Sequence, residues 1–297
     1  MKYVVVGLGA IGRKRQAVLG QRCIATIDPV NPDADYRQLE DCPPGRYDAV
    51  VLAVPNQVKL DLLQRCLRNG KHVLLEKPLI FSDRATAERF QVLADAAHVS
   101  WYTSYNHRFE PSIVRLKERY DAGEVGRLYY ARLFYGNGTV GNVIGTWREQ
   151  GLGVLEDLGS HLLDLAAFLC PSDLSAFECA AECHAASVFD HAVLWSADRK
   201  LWLEASFLSW KNTFTIDMYG DRGSLHLSGL AKWGPSELLL RERVLPSGVP
   251  RETRETFAGS DTTWVADVQH FESLVQRGAT TMEHDWWISR HLQSVPD

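Results

Sequence analysis

The sequence predicts an α/β protein, with an N-terminal doubly wound parallel sheet followed by an α+β domain whose large, mostly antiparallel sheet is open on one face. Three observations predict it. A glycine turn, Gly7-Leu8-Gly9-Ala10-Ile11-Gly12, follows a short apolar run; strands and helices alternate up to about residue 105; and long strands joined by tight turns replace that alternation afterwards. The expected division is residues 1–107 for a nucleotide-binding domain and 108–297 for a substrate-binding and oligomerisation domain.

The elements follow in order. Residues 2–6 and 23–27 are apolar strands around the first helix, and 47–54 is a buried strand stopped by Pro55-Asn56. Leu62, Leu63, Cys66 and Leu67 recur at helical spacing within 58–69, and Gly70 stops that helix. The strand 72–75 comes next, then Ser82-Asp83 caps a helix reaching residue 97, and 100–105 is one more strand. Beyond it, helices are expected over 111–122 and 159–169, and strands over 127–135, 175–188, 191–197, 200–209, 213–219 and 224–227. A final helix over 264–277 closes the chain. The turns Ala197-Asp198-Arg199 and Gly220-Asp221-Arg222-Gly223 join neighbouring strands, which makes the second sheet mostly antiparallel.

In this setting the glycine turn is the Rossmann dinucleotide fingerprint. Gly7 permits the tight turn, Gly9 lets the backbone approach a pyrophosphate, and Gly12 lets the helix pack closely on the sheet. The helix N-terminus meets phosphates with unpaired N–H groups and the positive end of its dipole. Asp28 stands 21 residues after Gly7, where a carboxylate binds ribose hydroxyls and repels a 2′-phosphate. Pro29-Val30-Asn31 bring no arginine to reverse that preference, so NAD is expected over NADP. Cofactor contacts are expected from Gly7, Gly9, Ala10, Ile11, Gly12, Arg13 and Asp28, and from later strand ends at Ala53, Val54, Pro55, Asn56, Glu76 and Lys77. Arg13-Lys14-Arg15 occupies the first helical turn, where the dipole disfavours cations; it is either a solvated helix start or a place from which Arg13 reaches the adenine or phosphates.

Composition bounds the partners. The 297 residues are 45% hydrophobic and 23% charged, ordinary for a globular protein of two domains. A net charge of -5, with no basic run interleaved with aromatics, argues against a nucleic-acid partner. No apolar run approaches the roughly 18 to 20 residues of a membrane span, and the N-terminus opens in a strand, so no membrane partner and a cytoplasmic location are expected. Cys23, Cys42, Cys66, Cys170, Cys179 and Cys183 contain no CxxC pair and are expected to be reduced thiols. Cys179, Cys183 and His184 lack a second ligand pair, which favours structural use over a metal site.

Chemically loaded residues gather where the first domain's strands end: Pro55-Asn56, Glu76-Lys77-Pro78 and Asn106-His107-Arg108. Ligands of such sheets sit beyond those ends, so all three are expected to face the cofactor cleft. Downstream stands Asp157-Leu158-Gly159-Ser160-His161-Leu162-Leu163-Asp164. With Gly7-x-Gly9-x-x-Gly12, Gly70-Lys71-His72-Val73-Leu74-Leu75-Glu76-Lys77-Pro78, Asn106-x-Arg108-Phe109 and Gly123-x-x-Gly126, the chain resembles the Gfo/Idh/MocA oxidoreductase family over essentially its whole length. That family includes glucose-fructose oxidoreductase and inositol dehydrogenases. The resemblance implies a catalytic trio of Lys77, Asp157 and His161, with histidine as acid/base and lysine sharing the proton path, and dimers or tetramers paired sheet to sheet. Two departures stand out: Lys59 replaces the histidine often found three residues after the asparagine, and Gly151-Leu152-Gly153 replaces a run of three glycines.

The residue types suit alcohol/ketone interconversion in their own right. Oxidising a secondary alcohol with NAD needs a base for the hydroxyl proton, a positive group for the developing alkoxide, and a carbon held against the nicotinamide. An unperturbed imidazole titrates near working pH, which suits His161 as the base; Lys77 can hydrogen-bond the reacting oxygen, and Asp157, four residues before His161, can orient substrate or the lysine. Taken singly, each has a bland reading as a solvated lysine, a structural histidine or a helix cap; their register with the fingerprint favours catalysis. No metal is expected of Asp157, His161 and Asp164, because hydride transfer needs none and Asp164 turns away. The expected substrate is a sugar, cyclitol or nucleotide-linked sugar, touched by Lys77, Asn106, Arg108, Trp147, Arg148, Asp157 and His161, with domain packing the competing role for Asn106, Arg108, Trp147 and Arg148. A non-catalytic NAD sensor and an NAD-dependent glycosidase are the alternative functions on this fold.

Self-association is expected through the second sheet. Trp202, Glu204 and Ser206 alternate with Leu201, Leu203, Ala205 and Phe207, leaving one face open, and Trp195, Trp210, Phe214 and Tyr219 add aromatics to it. A homodimer or homotetramer burying that face follows. Trp233, Trp286 and Trp287 are expected in the core or at an interface.

Overall fold

Strands covered on both faces can be apolar throughout, and the five N-terminal runs pair as one parallel sheet for that reason. In chain order they are β1 (Tyr3–Val6), α1 (Ala10–Leu19), β2 (Cys23–Ile27), β3 (Ala49–Leu52), α2 (Asn56–Arg68), β4 (His72–Glu76), α3 (Arg84–Ala97) and β5 (Trp101–Ser104). The strand order is β2-β1-β3-β4-β5, a Rossmann arrangement with the glycine turn at the carboxyl end of β1. α3 starts where the Asp83 carboxylate accepts the Thr86 N–H at 2.7 Å. This computed structural model describes residues 1–146 and 149–294, and its chain divides into two compact units, Met1–Tyr105 with Trp264–Arg290, and Asn106–Thr263 with the residues from His291 onward.

The second unit holds α4 (Pro111–Asp121), β6 (Leu128–Gly136), a π-helical turn (Leu155–Gly159) running into α5 (Ser160–Leu169), and then β7 (Phe177–Glu182), β8 (His191–Ser196), β9 (Leu201–Ser206), β10 (Thr213–Gly220), β11 (Gly223–Ser228), β12 (Ser236–Glu242) and β13 (Arg251–Phe257). They form one sheet in the order β13-β12-β11-β10-β6-β9-β8-β7, antiparallel except for the β6–β9 pair. The strand expected over 175–188 ends at Glu182, because the buried Asp190 carboxylate gathers the N–H groups of His184, Ala185 and Ala186 into a loop. β12 and β13 lie outside the expected strands. β13 shows no apolar alternation; cross-strand Arg241–Glu252 and Arg254–Glu237 pairs line it instead.

The open face carries Tyr130, Arg132, Trp195, Trp202, Glu204, Asp217 and Tyr219, with Tyr130 and Tyr219 stacked at 4.7 Å. Two expected members are not on it. Phe214 shares the buried face of β10 with Ile216 and Met218, as period-two alternation requires, and Trp210 stands in the loop before β10, 75% exposed.

The chain then returns to the first unit through α6 (Thr263–Arg277) and α7 (Met282–Leu292). This differs from the expected boundary, which left 264–297 with the second domain. The reason is the inner sheet face: Tyr3, Val5, Val51, Leu74 and Tyr102 need an apolar cover, and Val268, Phe271 and Leu274 of α6 supply it. A buried polar knot fixes the register. Arg15, fully buried rather than solvated, donates Nη1 to Asp267 Oδ2 at 2.6 Å, Nε to Glu76 Oε1 at 2.7 Å and Nη2 to Ser104 Oγ at 2.5 Å, while Tyr102 donates to Asp267 Oδ1. Lys14 lies over the Trp264 ring at 4.2 Å. No helix among the described residues is long and apolar enough to cross a membrane.

α7 also buries an acid. Asp285 accepts from Trp101 Nε1 at 2.9 Å and Thr281 Oγ1 at 2.8 Å, yet burial outweighs these bonds and pushes its carboxyl up to about 6. Because the unfolded value is lower, near 3.9, the native state binds more protons between about pH 4 and 6, and stability falls as pH rises through that window. Two pKa units correspond to roughly 3 kcal/mol. Asp285→Asn is therefore expected to flatten this slope and to narrow the stability gap between pH 5 and pH 7, read by urea unfolding at both; an unchanged slope would contradict the buried-acid account.

Candidate active site

The glycine turn is shaped by what surrounds each glycine. Gly7 has φ +88°, and a Cβ there would stand 2.2 Å from the Ala53 carbonyl oxygen. A Cβ on Gly12 would stand 1.8 Å from the Gly7 carbonyl oxygen, so close packing of α1 on the turn excludes any side chain. At Gly9 a Cβ would meet nothing within 4 Å. Gly9 is also the N-cap of α1 and offers no side chain to cap the first-turn N–H groups. An open cradle at an uncapped helix N-terminus fits the pyrophosphate of a dinucleotide. Ala10 and Ile11 are exposed beside it.

Asp28 ties this turn to the end of β2. Its Oδ2 accepts the Leu8 N–H at 2.7 Å, and its Oδ1 accepts the N–H groups of Asn31 and Val30 at 2.8 and 2.9 Å. Burial works against its charge, but the bonds from Asn31, Leu8 and Val30 prevail and hold the carboxyl below the usual range. It stays anionic at neutral pH. Arg13 pairs with Asp33 at 2.6 Å at the surface, and Arg37, which no sequence signal singled out, donates to the Asn31 carbonyl and adds positive charge near Asp28.

The same carboxyl edge of the parallel sheet carries the later candidates. Ala53 and Val54 follow β3, Pro55 is the N-cap of α2, and Asn56 is its first residue. β4 ends in Glu76, whose carboxylate is held by Arg15, and Lys77 follows with a cis peptide bond to Pro78. Lys59, 2% exposed in α2, donates its Nζ to the carbonyl oxygens of Lys77 and Pro78 at 3.0 and 2.8 Å.

The second unit brings Asp157 and His161 together on one helical segment. The helix begins earlier than expected, in the π-helical turn at Leu155, a widened geometry that recurs at functional sites. Gly151 and Gly153 before it have φ of +71° and +55°, whereas Leu152 between them is outside the left-handed region, so a leucine is tolerated there. His161 is 6% exposed, and its ring stands 3.9 Å from that of His107. Tyr135, at the end of β6, packs edge-on against His107. The Lys232 Nζ, from the loop before β12, lies 3.1 Å from His107 Nε2 and donates to the Tyr135 hydroxyl at 2.9 Å. Burial first, then the charge of Asp157 and that of Glu110, raise the Tyr135 phenol far above its ordinary value, which keeps it a neutral hydrogen-bonding group.

Two of the expected substrate contacts, Asn106 and Arg108, have hydrogen-bond partners within the second unit. Arg108 is paired with the fully buried Asp164 of α5 through both Nε and Nη2, and its guanidinium lies over Phe168. Asn106 donates to Thr263 Oγ1 at 2.9 Å, which in turn donates to Asp261. Both sets of bonds lie within the second unit, which fits the packing role that the sequence offered beside substrate contact. Trp147 and Arg148 lie outside the described residues. Among the described residues no group of three histidine, cysteine or acidic side chains could hold a metal ion, and the six cysteines are unbridged. His107, Tyr135 and Lys232 were not among the expected site residues; they come from three elements far apart in sequence, and only His107 lay within a noted motif.

Comparison with known proteins agrees with this architecture. A family model described as an oxidoreductase family with an NAD-binding Rossmann fold matches residues 1–105, and the GFO/IDH/MocA C-terminal domain matches residues 113–226. The scyllo-inositol 2-dehydrogenase (NAD(+)) of Bacillus subtilis is 26% identical over 209 residues, 59% of this chain and 56% of that protein. The levoglucosan dehydrogenase of Pseudarthrobacter phenanthrenivorans is 26% identical over 145 residues, 47% of this chain and 36% of that protein. The chain thus spans about half or less of the length of these curated relatives. Among solved structures, levoglucosan dehydrogenase in complex with NADH superposes with a TM-score of 0.82 at 16% identity, covering 99% of this chain and 95% of that one. An NAD binding oxidoreductase from Klebsiella pneumoniae does so with a TM-score of 0.81 at 18% identity, covering 99% and 96%. Matched in both its nucleotide-binding and its C-terminal parts, the chain belongs to the Gfo/Idh/MocA oxidoreductase family.

Proposed function

We propose that this protein is an NAD-dependent dehydrogenase that interconverts a secondary alcohol and a ketone on a sugar or cyclitol. The observation that carries the reading is the carboxyl edge of the parallel sheet, where Lys77 directly follows β4 on the edge that also holds the open cradle at Gly9. Bound NAD supplies the hydride acceptor. Lys77 donates a hydrogen bond to the reacting oxygen and stabilises its developing negative charge, and His161 takes the hydroxyl proton. Asp157 orients the substrate or the lysine. The anionic Asp28 favours NAD over the 2′-phosphorylated cofactor. The names of the relatives, an inositol and a levoglucosan dehydrogenase, support a polyhydroxylated substrate.

Reduction of NAD in the presence of scyllo-inositol, levoglucosan and a panel of other polyols, followed by absorbance of the reduced cofactor, tests this reading. Turnover of at least one polyol with NAD preferred is expected; NADP bound more tightly than NAD, or NAD binding without turnover of any polyol, would count against it. A glycoside cleaved without net NADH would point to the glycosidase chemistry instead.

We further propose that the protein works in the cytoplasm, which its unbridged cysteines support, and as a homodimer or homotetramer through the open sheet face. The stacked Tyr130 and Tyr219 and the neighbouring Trp195 and Trp202, 6.2 Å apart, support that face as the contact. Light scattering of the same preparation at micromolar concentration should exceed the 33.4 kDa of one chain.

A further inference from the structure

We propose that Lys59 is a positioning residue for Lys77, its buried ammonium fixing the backbone from which the Lys77 side chain projects. The inference rests on the reading of Lys77 given above. It starts from a cost. Lys59 is 2% exposed, and a buried ammonium is expensive unless its donors are met by good acceptors. It also sits in the first turn of α2, where the helix dipole disfavours a cation. A leucine or methionine would fill this space with neither penalty. What a lysine adds is several N–H donors on one nitrogen, and two of them reach consecutive carbonyls, those of Lys77 and Pro78 at 3.0 and 2.8 Å.

That geometry constrains the chain. Two successive carbonyl oxygens converging on one nitrogen set the orientation of both peptide planes, and so the direction of the Lys77 side chain. The preceding residue is held as firmly from another helix, because the Glu76 carboxylate meets the fully buried Arg15 guanidinium of α1 at 2.6 Å. Residues 76–78 are therefore gripped by two buried cations, one through a side chain and one through the backbone. Catalytic groups misplaced by about 1 Å can lose on the order of a hundredfold in rate, so a clamp of this kind bears on turnover. The position is also one of the two where the chain departs from the pattern it resembles, and the lysine there meets two carbonyls.

The test is a cycle of Lys59→Met, Lys77→Ala and the double variant, with one substrate-free arm. With a polyol that the wild type oxidises, Lys59→Met should lower kcat by about ten- to a hundredfold while the NADH dissociation constant moves less than about threefold. In the Lys77→Ala background it should cost almost nothing more, because its effect passes through Lys77. Lys59→His, which keeps one donor, should recover part of the loss. In the substrate-free arm, reductive methylation followed by mass spectrometry should show the labelling rate of Lys77 changed at least about threefold by Lys59→Met, with exposed Lys211 as the unchanged internal reference. If Lys59→Met does not yield folded protein, Lys59→Gln enters the same cycle. Additive losses, or an unchanged Lys77 labelling rate, overturn the inference. Near-normal turnover of Lys77→Ala alone overturns instead the reading of Lys77 on which it rests.

Discussion

His161→Ala and Lys77→Ala are each expected to lower kcat by about two to four orders of magnitude, the range for lost acid/base or electrostatic help, with NADH affinity largely kept. The two losses have different origins. His161 is 6% exposed and stands 3.9 Å from the His107 ring, so its imidazole is held in one place, and alanine removes the proposed base altogether. In the proposed reaction Lys77 carries charge toward an alkoxide, and alanine there would leave the developing anion without its donor. Lys77→Arg keeps the charge but not the compact ammonium and is expected to recover only part of the rate. His161→Asn keeps a hydrogen-bonding group with no accessible proton affinity and should behave like the alanine variant. The measurement is steady-state kinetics with the best polyol, alongside NADH titration by fluorescence. Near-normal turnover of both alanine variants would remove these residues from the chemistry while leaving the dinucleotide site intact.

What the sequence made legible was local. The glycine turn, the Asp83 cap and the apolar strands of the first unit depend on residues a few positions apart, and each stands where spacing alone placed it. What it hid was distant or unpatterned. The partner that buries Arg15 is Asp267, 252 residues away, so the basic start of α1 resembled a solvated face and the return of α6 to the first unit left no trace. β13, Arg251–Phe257, alternates charges rather than apolar residues and carries no hydrophobic period to find. Lys232 meets His107 across 125 residues from a loop without a motif. Phe214 is a different case, since alternation along β10 already separates it from Tyr219 five positions on; its burial was readable and the aromatic count obscured it.

Gly9→Ala and Gly12→Ala are expected to fail in different ways, which separates a glycine kept for the ligand from one kept for the fold. At Gly9 the backbone has φ -79° and ψ -166°, a conformation alanine adopts freely, and a Cβ would meet no protein atom within 4 Å. Stability should change by no more than about 0.5 kcal/mol. The new methyl would instead stand in the cradle where a pyrophosphate approaches the backbone, so NADH affinity should fall at least about tenfold through loss of that close approach. At Gly12 the Cβ would lie 1.8 Å from the Gly7 carbonyl oxygen, and that oxygen belongs to backbone that cannot swing aside. The helix must lift from the turn, at a cost of about 3 kcal/mol or more for an overpacked site, which lowers Tm by at least about 5 °C in a chain of this size. NADH binding should fall with it, because the N–H groups of the first turn lose their aim. Thermal unfolding with and without NADH distinguishes the two: Gly9→Ala should keep the wild-type Tm in the absence of cofactor and show a smaller upward shift on adding it, whereas Gly12→Ala should show both a lower Tm and a smaller shift. A normal cofactor-induced shift in Gly9→Ala would mean that the dinucleotide does not pass over this turn, and the assignment of the cradle would have to be abandoned even though the fold is unchanged.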